Sequence, residues 1–528
     1  MPRPVVVLGS GAAGLAAAVA AARRGATVVV LERDDLLGGT TAISGGVVWA
    51  PANPWQRAAG ICDSPEAALA YLRHLAGGDV DDDLMATFVA DAARVMVDLE
   101  GCTPLRWEAL ARWPDYHAEI PGGLDGGRSV WPRPLALAPE VAARVRRPPE
   151  LGEGAADPSS DGVVFRGPVR GHALVGGLVT GALELGVELR TGVRATGLLT
   201  DGGAVTGVEA GGSTYEGNVV IATGGFQHDA RLAATFLPVP GVAPLGPPGC
   251  AGDGLRMALA VGAELGNMAE GWWMPAIHVP GEELDGAPWY RPLHSERAQP
   301  GSIMVDRSGR RFVDEAQNYG DVGRAMHRFD AASHSWPAAP CWLVFDATYR
   351  SRYPVGPLQP GDPDPAWLVC RPTVAELSAV VGEHLGATLS VFNEGAAQGR
   401  DPEHGRGDLP YDRWIGDLGT TLAPLDRAPF YAAAVVPGCM GTKGGPRTDD
   451  RGRVLRRPAT PVPGLYAAGN AAASPFGTAT AAGGATLGPA LVFGTRAGEA
   501  AATDVERGAP PSGGERGARP SGGERGEP

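Results

Sequence analysis

Lysine is all but missing from this sequence: of 45 basic residues only Lys443 is a lysine, a bias that reflects a high-GC codon composition rather than a function. An excess of positive charge is missing as well. The 45 basic and 59 acidic residues leave a net charge of −14 with histidine neutral, which repels phosphate backbones and anionic lipid surfaces. Nucleic acid is therefore not an expected partner. Cysteine is sparse and scattered, at Cys62, Cys102, Cys250, Cys341, Cys370 and Cys439, with no CxxC and no Cys/His group at zinc spacing. That pattern excludes a metal site, an iron–sulfur cluster and a disulfide framework, and suits reduced thiols in a cytoplasm. No apolar run reaches the roughly 18 residues that span a bilayer. Val5 to Ala22 imitates a secretory leader behind Arg3, but Gly9, Gly11 and Gly14 interrupt it and Arg23-Arg24-Gly25 leads into a second β-branched run. The stretch reads as strand, turn and helix, and the expectation is a soluble cytoplasmic protein with no integral membrane segment.

Glycine, by contrast, is abundant at 79 of 528 residues, about twice the usual roughly 7%. Many segments must turn tightly or approach something closely. At roughly 150 residues per domain the chain has room for two to four domains. Val5 to Leu8 is a short apolar run of the kind buried on both faces of a parallel sheet; a Gly-rich turn, an Ala-rich helix over Leu15 to Arg24 and a strand over Thr27 to Leu31 follow. Further elements are a helix over Ala173 to Leu185, strands at Val187 to Arg190, Gly197 to Leu199 and Val205 to Ala210, and a buried strand at Asn218 to Ala222. Between about Met274 and Pro437 the character changes to isolated helices, many prolines and aromatic pairs such as Trp289-Tyr290, which reads as an inserted domain. Gly464 to Ala502 returns to strand, Gly-rich turn and helix. The last residues repeat Pro511 to Gly517 at Pro520 to Gly526 with nothing apolar to bury, so residues 506–528 are expected to be a disordered tail.

The sharpest local signal is Gly9-Ser10-Gly11-Ala12-Ala13-Gly14. A GxGxxG alone is weak, but this one follows a strand and opens a helix. Glu32 stands at the end of the next strand, eighteen residues after Gly14, where an acid accepts ribose hydroxyls while the glycines admit a pyrophosphate to the helix N-terminus. A second loop, Gly38 to Gly46, offers Gly39, Thr40, Thr41, Ser44, Gly45 and Gly46. Ala222-Thr223-Gly224 ends another strand, and Gly469-Asn470 ends a third near the C-terminus. Three such returns to one sheet describe a chain wrapped around FAD. No second complete GxGxxG follows a strand, so a separate nicotinamide site is not visible and hydride passes directly between flavin and substrate, with an unidentified external electron acceptor.

With the GGTTAISGG run, the ERxxPGSIMVDxxGRRF block at Glu296 to Phe312, GTKGG at Gly441 to Gly445 and GLYAAGN followed by GGATLGPALVFG, the sequence resembles the 3-ketosteroid dehydrogenases of the fumarate reductase/succinate dehydrogenase flavoprotein superfamily. The resemblance implies an α/β fold in which a Rossmann-like FAD-binding domain, residues 1–275 and 437–505, carries an inserted α+β substrate (cap) domain, residues 276–436. It also adds Leu487 to the cofactor-binding residues. Dehydrogenation beside a ketone needs a polarised carbonyl, a base for the α-proton and a flavin to take the β-hydride. By resemblance Tyr319 is the base, a phenol whose pKa a neighbouring donor lowers, and Tyr116 assists it. The carbonyl would be polarised by the Gly484 amide and by position 480, where the family pattern has tyrosine and this chain has Thr480.

Three readings stay open. The chain is a 3-ketosteroid Δ1-dehydrogenase-like enzyme desaturating the bond beside a ketone in a hydrophobic polycyclic substrate, or a dehydrogenase of a non-steroid natural product. Alternatively it is an ene-reductase for an α,β-unsaturated acid or ketone with Arg406 as acid, although the histidine and arginine of a dicarboxylate clamp are missing from Gly441 to Gly445 and Thr478 to Gly488. The third is a flavin-binding protein without catalysis. His117 and His172 read as structural histidines, Lys443 as a loop lysine or a cation near the site, and Trp272-Trp273 with Trp289-Tyr290 as packing or as an apolar wall.

Overall fold

A computed structural model describes residues 4–78, 80–147 and 171–504. The C-terminal repeat and the expected tail at 506–528 lie outside them. β1 (Val5–Leu8), β2 (Val28–Leu31), β3 (Glu188–Arg190), β4 (Asn218–Ile221), β5 (Arg453–Arg456) and β6 (Thr460–Ala467) form one sheet in the order β5-β6-β4-β1-β2-β3. All neighbours are parallel except the β5/β6 pair. VVVL in β1 and in β2 is buried almost throughout, as the uniform apolar runs require of a sheet covered on both faces.

Helix α1 (Ala12–Arg23) follows β1 and buries ten consecutive residues, Ala12 to Ala21. It packs against the C-terminal helix α3 (Leu487–Thr503), and small residues set that distance. A Cβ at Gly494 would lie 2.4 Å from the Ala13 carbonyl oxygen, and one at Gly498 2.1 Å from that of Ala17. Helices from near the start and near the end of the described residues thus close one layer over the sheet. β1 sits between β2 and β4, so the chain departs in opposite directions from it, the switch point at which sheets of this kind bind ligands.

The inserted segment carries a second sheet as well as helices. Gly271–Leu284 pairs with Ala287–Pro292 and with Phe430–Thr442, which continues through Cys341–Asp346 to Ser302–Val305, each pairing antiparallel. The positions 275/276 and 436/437 fall inside two long strands that pair with each other at Pro275↔Pro437. Helix α2 (Tyr319–Ala325) lies against the first of these strands, where a Cβ on Gly323 would come 2.8 Å from the Met274 nitrogen. Asn318 caps it by accepting from the Asp321 amide at 3.0 Å. Among the described residues no helix is long and apolar enough to cross a membrane, no group of three or more His, Cys, Asp or Glu side chains could hold a metal, and the six cysteines are free.

Candidate active site

The cradle at the ends of β1, β2, β4 and β6 follows from glycine geometry. Gly9 has φ +99°, and a Cβ there would strike the Ala222 carbonyl oxygen at 2.4 Å; one on Gly14 would strike the Gly9 carbonyl oxygen at 2.0 Å. These two glycines let turn, helix and strand meet. Gly11 differs: the nearest atom to a Cβ there is Thr41 Oγ1 at 3.5 Å, and beside Gly39 there is nothing within 4 Å. Their shared face is bare backbone that a side chain would fill. The Ala12 amide donates to Thr41 Oγ1 at 3.1 Å, and the other first-turn amides of α1 lead into the same space without a side-chain cap.

Glu32 ends β2 as the spacing predicts. It is 6% exposed, and burial raises its carboxyl pKa against the pull of its hydrogen bonds from Ser10 and Asp34. Ser10 N and Oγ donate to its Oε2 at 3.0 and 2.6 Å, leaving lone pairs for ribose hydroxyls. Ser44 Oγ donates to the Thr41 carbonyl and accepts from the Gly46 amide, which shapes the Gly39 to Gly46 loop, while Thr40 Oγ1 lies 3.5 Å from Cys250 Sγ. The Ala222 amide donates back to Leu8, and the Thr223 hydroxyl beside Gly224 is buried with no partner among the described residues. Gly469, at φ +67°, rests on Ala13, and Asn470 Oδ1 accepts from Trp272 Nε1 at 3.0 Å. Leu487 opens α3. Bare backbone, helix end, buried acid and orphaned hydroxyl together fit the pyrophosphate and ribose of a dinucleotide.

Tyr319 opens α2, and its ring meets that of Tyr116 edge-on, with centroids 5.4 Å apart and planes at 77°. Tyr116 also meets Tyr411 at 5.0 Å; Trp414, Trp113 and His294 complete a closed circuit of aromatic contacts that returns to Tyr319. Thr480 belongs to the same place, since a Cβ on Gly320 would lie 3.1 Å from its Oγ1. The loop bearing Thr480 and Gly484 is held by its carbonyls. Lys443 Nζ donates to Thr478 and Ala479, Arg324 to Thr478, Tyr71 Oη and the Tyr116 amide to Ala481, Ser129 Oγ to Gly483 and the Trp49 amide to Gly484, at 2.6 to 3.1 Å. Gly484 has φ +91°, and a Cβ there would lie 2.5 Å from the Trp49 nitrogen.

Burial raises the pKa of both phenols, Tyr116 well above its ordinary value. This corrects the expected lowering of Tyr319: the dry aromatic surroundings outweigh its polar neighbours. The Tyr116 hydroxyl closes no well-formed hydrogen bond, yet as the donor facing the Tyr319 oxygen it counters part of the rise, as does the Arg297 charge. Beside the pair, His117 Nε2 lies 2.8 Å from Asp321 Oδ2 and its Nδ1 3.1 Å from Glu119. Although burial opposes it, the two carboxylates raise the pKa of His117; burial likewise opposes the fall at Asp321, whose pKa the bond to His117 lowers. Asp115, next to Tyr116, accepts from Arg128 and from Trp49 Nε1, and burial pushes its carboxyl up to about 6 against those bonds.

The remaining candidates are held by structural partners. Arg406 is not available as an acid: it is fully buried and donates to the Ser302 and Gln299 carbonyls and to Glu315. Lys443 is a loop lysine, lying 4.1 Å over the Trp272 ring, with its pKa pushed down to about 7 by burial and Arg324. Trp273 packs on His327, and His172 sits 2.9 Å from the Arg146 carbonyl. His117, expected as a structural histidine, bridges Glu119 and Asp321. Arg297, Tyr411 and the Trp113/Trp414 pair escaped the sequence reading. The ER of the Glu296 block pointed to the arginine; nothing local pointed to the aromatics.

The family described as FAD binding domain matches residues 4–487. The chain is 39% identical to 4-oxocyclohexanecarboxylate 2-dehydrogenase of Sinomonas cyclohexanicum, over 95% of this chain and 94% of that one. It is 34% identical to 3-oxosteroid 1-dehydrogenase of Mycobacterium tuberculosis H37Rv, over 93% and 96%. Its fold superposes with a TM-score of 0.87, at 32% identity and over 95% and 99% of the two chains, on the 3-ketosteroid Δ1-dehydrogenase of Sterolibacterium denitrificans in complex with 1,4-androstadiene-3,17-dione.

Proposed function

The chain belongs to the FAD binding domain family, among the 3-ketosteroid dehydrogenase-like flavoproteins, and from that premise we propose that it desaturates the carbon–carbon bond beside the ketone of an apolar cyclic substrate. It is an FAD-dependent oxidoreductase acting on CH–CH donors, like the relatives it matches. The edge-on pair of phenols beside Thr480, Tyr116 buried and Tyr319 half-buried, carries this reading.

FAD, when bound, would supply the acceptor for the β-hydride and its electron pair. The Gly39 to Gly46 loop, the α1 N-terminus, Glu32, Thr223, Asn470 and Leu487 would hold the cofactor. Tyr319, as phenolate, takes the α-proton; the C–H electron pair becomes the new π bond as the hydride leaves. Tyr116 donates toward the Tyr319 oxygen and favours its anionic form. The Gly484 amide and the Thr480 hydroxyl stabilise the negative charge that builds on the carbonyl oxygen, as paired donors do in an oxyanion hole. The aromatic ring of Trp113, Trp414, Tyr411 and His294 excludes water and lines the apolar part of the site. An external acceptor then reoxidises the enzyme.

Anaerobic mixing of the yellow protein with 3-ketosteroids and with 4-oxocyclohexanecarboxylate tests this, turnover being followed with an artificial acceptor. Bleaching by a ketone is the expected result, and the ketone that bleaches fastest sets the substrate class. A protein that no ketone bleaches, but whose reduced form is reoxidised by an enone or by fumarate, runs in the reductive direction, and the proposal fails.

A further inference from the structure

Six arginines are buried among the described residues, and five of them form ion pairs with carboxylates. Arg128 meets Asp63 and Asp115 at 2.6 and 2.7 Å, Arg146 meets Asp34 at 2.9 Å, Arg311 meets Glu315 and Asp401 at 2.7 Å, Arg350 meets Asp364 at 3.1 Å and Arg406 meets Glu315 at 3.2 Å. Arg297 is the exception. It is 0% exposed; Nη1 donates to the Glu315 carbonyl, and Nε and Nη2 have no partner among the described residues. A cation taken out of water without an ion-pair partner is costly and calls for a reason.

Its charge acts on the phenols of Tyr411, Tyr116 and Tyr319. Ala298, the next residue, packs in one cluster with Tyr116, Tyr411 and Tyr319, and the Tyr116 and Tyr411 hydroxyls are themselves buried without partners. We propose that Arg297 is the standing counter-ion of the Tyr319 phenolate, a positioning residue whose charge favours the ionised form of the base. The inference rests on the reading of Tyr319 as base.

The other charges around it do not take that role. Glu296, on the same turn, and Asp314, on the next loop, face Arg297, but burial raises both carboxyls, Asp314 to about 8 with Asp412 beside it, so Asp314 stays protonated at neutral pH. Asp412, next to Tyr411, is raised by burial too. Glu315 is engaged by Arg311 and Arg406. On the far side, His117 and Asp321 neutralise one another, with Glu119 beyond, and His294 presents its ring to Tyr319 at 5.5 Å.

Alkaline titration of the tyrosinate absorbance of the holoenzyme, with that of Tyr319→Phe subtracted, isolates the Tyr319 ionisation without any substrate. Arg297→Met should move it up by about one pH unit, a tenfold loss in the ionisation constant, and Arg297→Lys should recover most of it. The acidic limb of the dehydrogenation profile should move by the same amount with its plateau kept, whereas general damage would lower the whole profile. An unmoved Tyr319 ionisation in a flavin-containing Arg297→Met holoenzyme overturns the proposal, and so does Arg297→Lys behaving like Arg297→Met. Should Arg297→Met lose its flavin, Arg297→Lys decides alone: an unmoved ionisation supports the charge role and a shift of about a unit refutes it. Failure of the dehydrogenase reading would appear separately, as a wild-type flavin that no ketone bleaches while the titration still shifts.

Discussion

Gly484→Ala attacks the active-site loop at its most constrained point. The residue adopts φ +91°, and an added Cβ would stand 2.5 Å from Trp49 N, 2.6 Å from Val48 C and 2.7 Å from Val47 C. These are backbone atoms of a buried strand and cannot swing aside. The left-handed conformation costs about 1–3 kcal/mol for a non-glycine residue, and forcing an extra methyl into a packed core costs about 1–3 kcal/mol more. The expected loss is therefore about 2–6 kcal/mol, a large part of the roughly 5–15 kcal/mol that holds a folded protein together. The damage should also reach the chemistry. Trp49 stacks on Phe88 at 5.7 Å and donates through Nε1 to Asp115, the neighbour of Tyr116, so displacing its backbone moves the phenol pair. A shift of about 1 Å costs on the order of 10²-fold in rate. Gly25→Ala separates the two causes, because Gly25 has φ +82° but nothing within 4 Å of its would-be Cβ. Thermal unfolding and the single-turnover rate of flavin reduction by a ketone are the assays. A Gly484→Ala protein as stable as Gly25→Ala, with an unchanged reduction rate, would refute the reasoning.

Tyr319→Phe should keep its FAD absorbance while the flavin reduction rate falls by about 10²–10⁴-fold, measured by stopped flow; equal rates would remove Tyr319 as the base. Thr480→Tyr should raise 3-ketosteroid Δ1-dehydrogenation at least about tenfold, part of the roughly 10²–10³ that one oxyanion donor supplies; steady-state turnover that stays flat or falls would assign the cleft to another ketone. Asp321→Asn tests the bond between the loop of Tyr116 and α2. The folded His117 pKa is raised, so its contribution is complete below the unfolded value and disappears as pH rises through the folded one; the folded Asp321 pKa is lowered, so its contribution disappears as pH falls through that value. The side chains are 21% and 39% exposed, which limits the pair to about 0.5–1 kcal/mol. Unfolding curves across pH should show wild type ahead of Asp321→Asn between those two limits and level with it on the alkaline side; a constant gap would mean that the pair is not charged.

The sequence by itself determined the dinucleotide half of this protein. VVVL, the GxGxxG turn, the alanine helix and Glu32 act over fewer than three dozen residues, and their logic is steric and local: Gly14 is glycine because the Gly9 carbonyl lies 2.0 Å from where its Cβ would be. The resemblance pointed to the two tyrosines and to position 480, but the surroundings that set their chemistry were not legible. Only the tertiary structure brought His117 to Asp321 across 204 positions, closed a circuit of aromatic contacts from the Tyr319/Tyr116 pair through Tyr411, Trp414, Trp113 and His294, and left Arg297 alone among the described buried arginines without an ion pair. Burial and pairing decide how such groups titrate, and both arise from long-range packing through the two sheets, which spacing along a chain does not encode.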